Sequence, residues 1–421
     1  MDLKSRLAQL DRSTRKPVPP DLADPVGRTG NQENSWDQES ALASLGLHSR
    51  ETDLGRVWVV EHRDDVLPLA DVFPDMQGLF TREPSACPAM EDLLLMDTET
   101  TGLAGGTGTL VFQLGVSWWR SETLVTRQYF LPGPAHEAAM LSDLADLAQD
   151  FTTVVTFNGA SFDLPLLRTR ALLNRLPDPF AELTSWDLLV PSRRMWSHCL
   201  PDCRQRTVEQ LVCGITRGSG DIDGSRIPQT WFDFLSTGDP GELSQVLTHN
   251  HRDMVGMARI LGVLGRIGHW LAESGGAGSQ LPPQAGWRGR AGWWALGKTF
   301  ERRSEARAAG HCFQEAWRDE WDDVVDSNGR LRFRRDAVRN LKRCQAWELV
   351  AEIIADGLAE GCDDFRLHRE AAILYEHRLV DLDRALQHAV SCGEESRQKR
   401  LRMRLQKSAG QNGRAFEIEV N

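Results

Sequence analysis

Asp97 and Glu99 stand two residues apart in the stretch EDLLLMDTETTGL, residues 91–103, directly after an apolar run. Residues two apart on an extended chain point the same way, so both carboxylates can offer oxygens to one point. Held that close they repel, and each raises the other's pKa unless a cation stands between them. Two further stretches carry groups of the same kind. TFNGASFDLPLL places Asp163 in the first turn of a helix, and LTHNHRDMVGMA places His249 and Asp253 four residues apart, on one helical face. The rest of that face is Val246, Gly256 and Ile260, and an ionised aspartate on an apolar stripe needs a compensating partner. Taken one at a time, each has a plainer explanation: a surface acid pair, an N-terminal charge favoured by the helix dipole, and a core or surface histidine.

The elements that must position these groups can be traced along the chain. Leu93 to Met96 form a short continuous apolar run, the pattern of a strand buried on both faces, and the strand is expected over 91–97. Strands follow at 110–119 and 123–131, a helix at 136–150, a strand at 152–158 and a helix at 162–176. Strands in sequence followed by alternating helix and strand indicate a mixed sheet with helices packed on it. A long helix starts after Asp239 and Pro240 and runs to about Ser274. Residues 1–54 read as a flexible polar N-terminal segment, 55–90 as a lead-in strand and loop, and 91–273 as the main domain. A Gly/Pro linker is expected at 274–288, with helical repeats at 289–408 and a tail at 409–421. In the repeats, Trp293, Leu296, Gly297 and Phe300 follow the first-helix pattern of a tetratricopeptide repeat, and Ala309 and Phe313 the second. One such repeat cannot bury its own face, so an array of about three is expected.

Composition is that of a soluble globular chain of 421 residues with 41% hydrophobic and 26% charged residues. No apolar run approaches the length of about 20 residues that a bilayer crossing requires, and the N-terminus is charged. The eight cysteines are scattered, as in a reducing cytoplasm. A formal net charge of -11 argues against electrostatic coating of nucleic acid but not against gripping a strand end. The acid is concentrated upstream: from Gly286 onward about 25 Lys and Arg stand against about 23 Asp and Glu. RQKRLRMRLQK, 397–407, is a basic helical stretch, either a solvated face or a contact for phosphate or partner.

D-x-E ending a buried strand, then N-x4-D opening a helix, then H-x3-D in a late helix, is an order that resembles the DEDD exonuclease superfamily. The resemblance covers about residues 90–272, through MDTETTGL, FNGASFD and HNHRD. It is closer still to the bacterial YprB-like group, a ribonuclease H-like domain with a tetratricopeptide tail, through DTETTGLAGGTGT, VTFNGASFDLPLLRTR and WDLLVPSRRMW. The resemblance implies a ribonuclease H-like α/β mixed sheet flanked by helices, followed by an all-α tetratricopeptide-like domain. It implies that Asp97, Glu99, Asp163 and Asp253 hold two divalent ions and that His249 activates water. Thr100, Gly102, Leu103, Asn158 and Phe162 are the substrate-contacting candidates. One departure matters: members with a histidine base space it H-x4-D, whereas His249 takes the H-x3-D spacing of members with tyrosine there. His251 points off the Asp253 face and is the poorer candidate.

Chemistry asks for the same set. Phosphodiester hydrolysis needs an in-line hydroxide and neutralised phosphoryl oxygens, which two ions about 3.5–4 Å apart supply. Hard oxygen ligands without cysteine select Mg2+ or Mn2+. His249 would take the proton of the attacking water. The expected activity is a 3′-5′ exonuclease on single-stranded DNA or RNA ends, in the cytoplasm, with a protein partner on the repeats. The alternatives are a structure-selective endonuclease and a non-catalytic scaffold. GLAGGTGT lacks G-K-[ST] and reads as a glycine-rich hairpin, not a phosphate loop. HCLPDC is too poor in ligands for structural zinc, Asp187 reads as a surface ion pair or a neighbour of the site, and TVEQ reads as a capping box.

Overall fold

Leu93, Leu94, Leu95 and Met96 lose all solvent exposure in β3 (Leu93–Thr100), because the strand has partners on both edges and helices over the sheet. The structure, a computed structural model, describes residues 37–66, 77–80, 88–102, 108–218, 220–274, 281, 285–287, 290–319, 327–361 and 364–418. The chain divides into two compact units, 1–40 and 41–421, and the elements below lie in the second. β3 pairs antiparallel with β4 (Val111–Arg120) and parallel with β6 (Thr153–Thr156). β4 continues to β5 (Thr123–Phe130), β2 (Gly55–Asp64) and β1 (His48–Thr52), all antiparallel, while β6 pairs parallel with β7 (Thr184–Asp187). The order β1-β2-β5-β4-β3-β6-β7 therefore puts β3 where an antiparallel half meets a parallel half. This is the mixed, helix-flanked sheet that the run of strands implied.

β1 falls inside the segment expected to be flexible up to residue 54. Its sequence, HSRET, buries no residue, so it carries no apolar signal, and its polar side chains suit an exposed sheet edge. Its backbone pairs with β2 regardless.

Helices α1 (Glu137–Ala148), α2 (Asp163–Leu173), α3 (Leu189–Trp196), α4 (Gln205–Leu211), α5 (Ile227–Thr237) and α6 (Leu243–Ser274) accompany the sheet. α6 lies on β3, β4 and β5. Its approach depends on Gly115 of β4, which faces the fully buried Asn250 of α6. Gln128 of β5 fixes that approach, donating through Nε2 to the Leu247 carbonyl at 2.8 Å and to Asn250 Oδ1 at 2.9 Å. Among the described residues no helix is long and apolar enough to cross a membrane.

Beyond α6 the chain is helical: α7 (Arg290–Arg302), α8 (Ala306–Arg318), α9 (Ser327–Arg343), α10 (Trp347–Ala359), α11 (Phe365–His377), α12 (Leu382–Ser391) and α13 (Glu395–Ile418). They pack as successive hairpins, and Trp293, Leu296, Phe300, Ala309 and Phe313 are all buried where α7 meets α8. The Phe313 ring lies 3.0 Å from where an alanine Cβ would sit at Gly297, so the glycine sets how closely the pair packs.

The stretch expected as a linker is docked where it is described. Trp196 Nε1 donates to the Ala285 carbonyl at 3.0 Å, Trp287 Nε1 donates to that of Met195 at 3.1 Å, and Ala285 is buried. His198 Nε2 lies 2.8 Å from the Ala291 carbonyl, tying the end of α3 to α7. One hydrophobic core runs from Leu93 and Leu95 through Met254, Ile260 and Ile267 to Trp293, Phe313, Phe333 and Leu374. The basic stretch 397–407 is partly neutralised from within: Arg397, Arg400 and Arg404 all converge on Glu376, which is 2% exposed.

An alanine Cβ at position 115 would lie 2.3 Å from Asn250 Oδ1. Gly115→Ala should therefore push Asn250 off Gln128 at a cost of about 1–3 kcal/mol. The expected result is a lower urea midpoint with an unchanged slope. A variant as stable as the parent would contradict the close approach of α6 to the sheet.

Candidate active site

β3 delivers its two acids at its carboxyl end, beyond the point where β6 stops pairing with it. Asp97 lies opposite Gly115 and Glu99 opposite Gln113, and the register shifts between Glu99 and Thr100. The turn after β6 then places Asp163. Asn158 adopts a left-handed backbone with φ 68°, which asparagine tolerates better than most residues. Asp187, at the end of β7, pins that turn: its Oδ1 accepts the N–H of Asn158 at 2.7 Å and of Leu189 at 2.9 Å, and its Oδ2 accepts that of Ala160 at 3.3 Å. Its role is thus to hold backbone. Phe162 is the N-cap of α2 and makes no side-chain cap, while Asp163 Oδ1 accepts the hydroxyl of Thr98.

α6 brings the remaining groups. Asn250 Nδ2 donates to Asp97 Oδ2 at 2.9 Å. His249 Nδ1 lies 2.8 Å from Asp221 Oδ1, so Nδ1–H donates to the carboxylate and Nε2 is turned toward the acids. Nε2 is 3.3 Å from Asp253 Oδ2 and 3.9 Å from Glu99 Oε1. Glu99, His249 and Asp253 each present one donor atom, all within 4.8 Å of one another.

The charges crowd. Burial, then Asp253, Glu99 and Asp163, push Asp97 well above the ordinary carboxylate range against the lowering bond from Asn250. Burial, then Asp253, Asp163 and Asp221, push Glu99 up to about 8. Burial also raises Asp163, in part offset by Thr98. An oxygen-rich cluster whose acids resist ionising together fits a divalent cation, which relieves the repulsion directly.

A fixed cation already serves one acid. Arg217, 5% exposed, binds Asp253 Oδ1 and reaches Glu209 Oε2 at 2.7 Å and Asp221 Oδ2 at 3.4 Å. Burial alone would raise Asp221, but the hydrogen bond and charge of His249, together with Arg217, hold it below its usual value. Glu209 lies inside α4, whose N-cap is Arg204, so TVEQ is not a capping box. An alanine Cβ at Gly256 would fall 1.8 Å from Glu209 Oε1, so the glycine on the α6 stripe makes room for this ion pair.

The sequence alone does not single out Asn250, Arg217 or Asp221, and it suggests the wrong role for Glu209. Only Gly256, a gap on an apolar face, hints at them. His251 is turned away: its Nε2 is 2.8 Å from Asp64 Oδ2 and its ring stacks on His62 at 4.3 Å. Of the substrate-contacting candidates, Thr100 donates its hydroxyl to the Gly102 carbonyl at 3.0 Å, Phe162 is 60% exposed, and Asn158 lines a cleft of about 440 Å³ with Phe157, Leu189, Arg193 and Gln205. Leu103 and most of the glycine-rich hairpin lie outside the described residues.

Residues 94–264 match the RNase_H superfamily, a span that runs from β3 into α6 and includes every candidate ligand. This segment is a ribonuclease H-like domain. It is 36% identical over 168 residues to the uncharacterized protein YprB of Bacillus subtilis (strain 168), and the match covers 39% of this chain and 40% of that protein. The chain thus matches about two fifths of that relative's length. Two solved structures overlap the chain in part. One is a family B DNA polymerase of Pyrobaculum calidifontis, at 15% identity over 59% of this chain and 34% of that one, with a TM-score of 0.35. The other is E. coli exonuclease I in complex with a dT13 oligonucleotide, at 18% identity over 38% and 42%, with a TM-score of 0.24.

Glu99 gives the ribonuclease H-like domain a pH signature. Its folded pKa, about 8, lies above the ordinary glutamate value of 4.5. Without metal the folded state therefore holds a proton that the unfolded state has released, and stability is lost as pH rises through about 8. In EDTA, Glu99→Gln should melt higher than the parent above pH 8, and the gap should close as pH falls toward 4.5. Thermal melts across that range test this, and a gap that widens on acidification would overturn it.

Proposed function

We propose that the chain is a metal-dependent nuclease acting as a 3′-5′ exonuclease on single-stranded nucleic acid. The observation that carries the reading is the mutual crowding of four carboxylates, Asp97, Glu99, Asp163 and Asp253, of which Glu99 and Asp253 lie within 3.9 Å of an imidazole nitrogen that a fifth, Asp221, orients. In this reading Asp97, Glu99, Asp163 and Asp253 would hold the divalent ions, Mg2+ or Mn2+. Divalent ions bound there would supply Lewis-acid neutralisation of charge on the phosphoryl group.

The chain's own groups do the rest. His249 Nε2 accepts the proton of the attacking water, and Asp221 stabilises the imidazolium that results, as a carboxylate on Nδ1 does in other triads. Arg217 keeps one oxygen of Asp253 engaged, so the other is presented toward His249. Asn250 orients Asp97. The exposed Phe162, beside Asp163, offers a face on which a terminal base can stack. The helical hairpins after α6 act as a tetratricopeptide-like array open to a protein partner.

End-labelled single-stranded DNA and RNA, incubated with Mg2+ or Mn2+ and with EDTA, test the reaction. Cleavage should require the metal, and undiminished cleavage in EDTA would sink the proposal. His249→Ala should lose about 10²- to 10⁴-fold while still binding metal. Asp221→Asn frees the wrong imidazole nitrogen and should cost at least about tenfold. His251→Ala is the control and should cost little. If His251→Ala abolishes cleavage and His249→Ala does not, the base is the other histidine.

A further inference from the structure

We propose that a basic cleft between the ribonuclease H-like domain and the helical hairpins holds the phosphodiester backbone of the strand whose end lies at the candidate site, an assignment that rests on the nuclease reading above. The cleft encloses about 470 Å³. α3 contributes Arg193 and Arg194, α7 contributes Lys298 and Arg302, and α9 and α11 add four more arginines. The opposing charge is small. Asp336 lines the cleft and, with Glu301 behind it, pairs with Lys298 and Arg339, while Asp364 pairs with Arg335. Among the described residues, eight cationic side chains thus line the cleft and these three carboxylates pair with three of them, in a chain whose formal net charge is -11.

Three of these arginines are available to a ligand. Arg193, Arg332 and Arg366 are exposed and have no acidic partner among the described residues. Arg366 lies over the ring of Phe365, 5.6 Å from its centroid, and that ring is 57% exposed. An arginine beside an open aromatic face is the pairing that takes a phosphate and its base together. The basic stretch of α13 differs, since three of its arginines share Glu376.

Position decides between a strand and an acidic peptide. Arg193 lines this cleft and also the one of about 440 Å³ that holds Asn158 and Gln205. Gln205 Nε2 in turn donates to the Asp253 carbonyl at 2.7 Å. The two clefts therefore share Arg193, and the second, which also holds Arg204 and Asp202, reaches the backbone of Asp253 through Gln205. A peptide that only docked on the tail would have no use for that continuity, whereas a polymer with one phosphate per residue would use every part of it.

The test reads binding apart from cleavage. In EDTA, full-length protein is titrated with a fluorescein-labelled strand of about 16 nucleotides and followed by anisotropy. Arg332→Ala/Arg366→Ala should weaken binding about tenfold or more. It should also reduce the slope of log K against log salt by about 1.4, at roughly 0.7 for each phosphate that the variant leaves unneutralised. Arg193→Ala alone should reduce the slope by about 0.7. Melting temperatures should move little, because these side chains are exposed and have no acidic partner among the described residues. Equal affinity and slope for parent and variants would overturn the proposal, whether or not the protein cuts. Variant-sensitive binding by a parent that never cuts would support the cleft and refute the nuclease. If labelled hexaglutamate loses affinity in the variants while the strand does not, the cleft belongs to an acidic protein segment and the proposal fails.

Discussion

Several carboxylates held in one poorly hydrated place dominate this molecule, because such a cluster opposes its own formation. Each acid raises the cost of ionising the next, and partial burial weakens the solvation that would share the charge. What surrounds the cluster can be understood as compensation. Asn250 donates to Asp97, Thr98 to Asp163, and Arg217 binds Asp253. These bonds keep the acids in place and leave oxygens directed at a common point. A cation entering there meets ligands already oriented, at the expense of a less stable metal-free state.

The compensation reaches deep into the fold. Asn250 can serve Asp97 because Gln128 holds its other end, and Gln128 is held by the Leu247 carbonyl and by His62, whose Nε2 is 3.1 Å from Gln128 Oε1. That chain runs from β2 through β5 and α6 to β3. Two missing side chains make it fit, at Gly115 beneath Asn250 and at Gly256 beneath Glu209. The strand order contributes as well. β3 has an antiparallel neighbour on one edge and a shorter parallel one on the other, so its last residues run past β6 and face α2 and α6.

How far the sequence reveals this depends on the kind of signal. Leu93 to Met96 and the strands after them announce themselves because burial on both faces demands continuous apolar residues. Asp97, Glu99, Asp163, His249 and Asp253 can be named because short motifs fix their spacing. Arg217, Asp221 and Asn250 cannot. The first two sit in loop sequence of no fixed period, and their meaning depends on partners 28 to 36 residues away. Asn250 lies between two histidines on α6, and only the packing of α6 on the sheet shows that it faces inward. β1 escapes notice for the opposite reason, since an edge strand that buries nothing has no pattern to display.

The single core shared by the sheet and the hairpins has a consequence for how this chain can be divided. α6 begins among the candidate ligands and ends with Trp270 edge-on to Trp293 of α7, their ring centroids 6.1 Å apart. Cutting the chain near residue 274 would strip the cover from Ile267, Leu271 and Trp196 and expose an apolar face made for burial. The two halves are therefore not interchangeable modules, and recombination that supplied either one alone would deliver a sticky fragment.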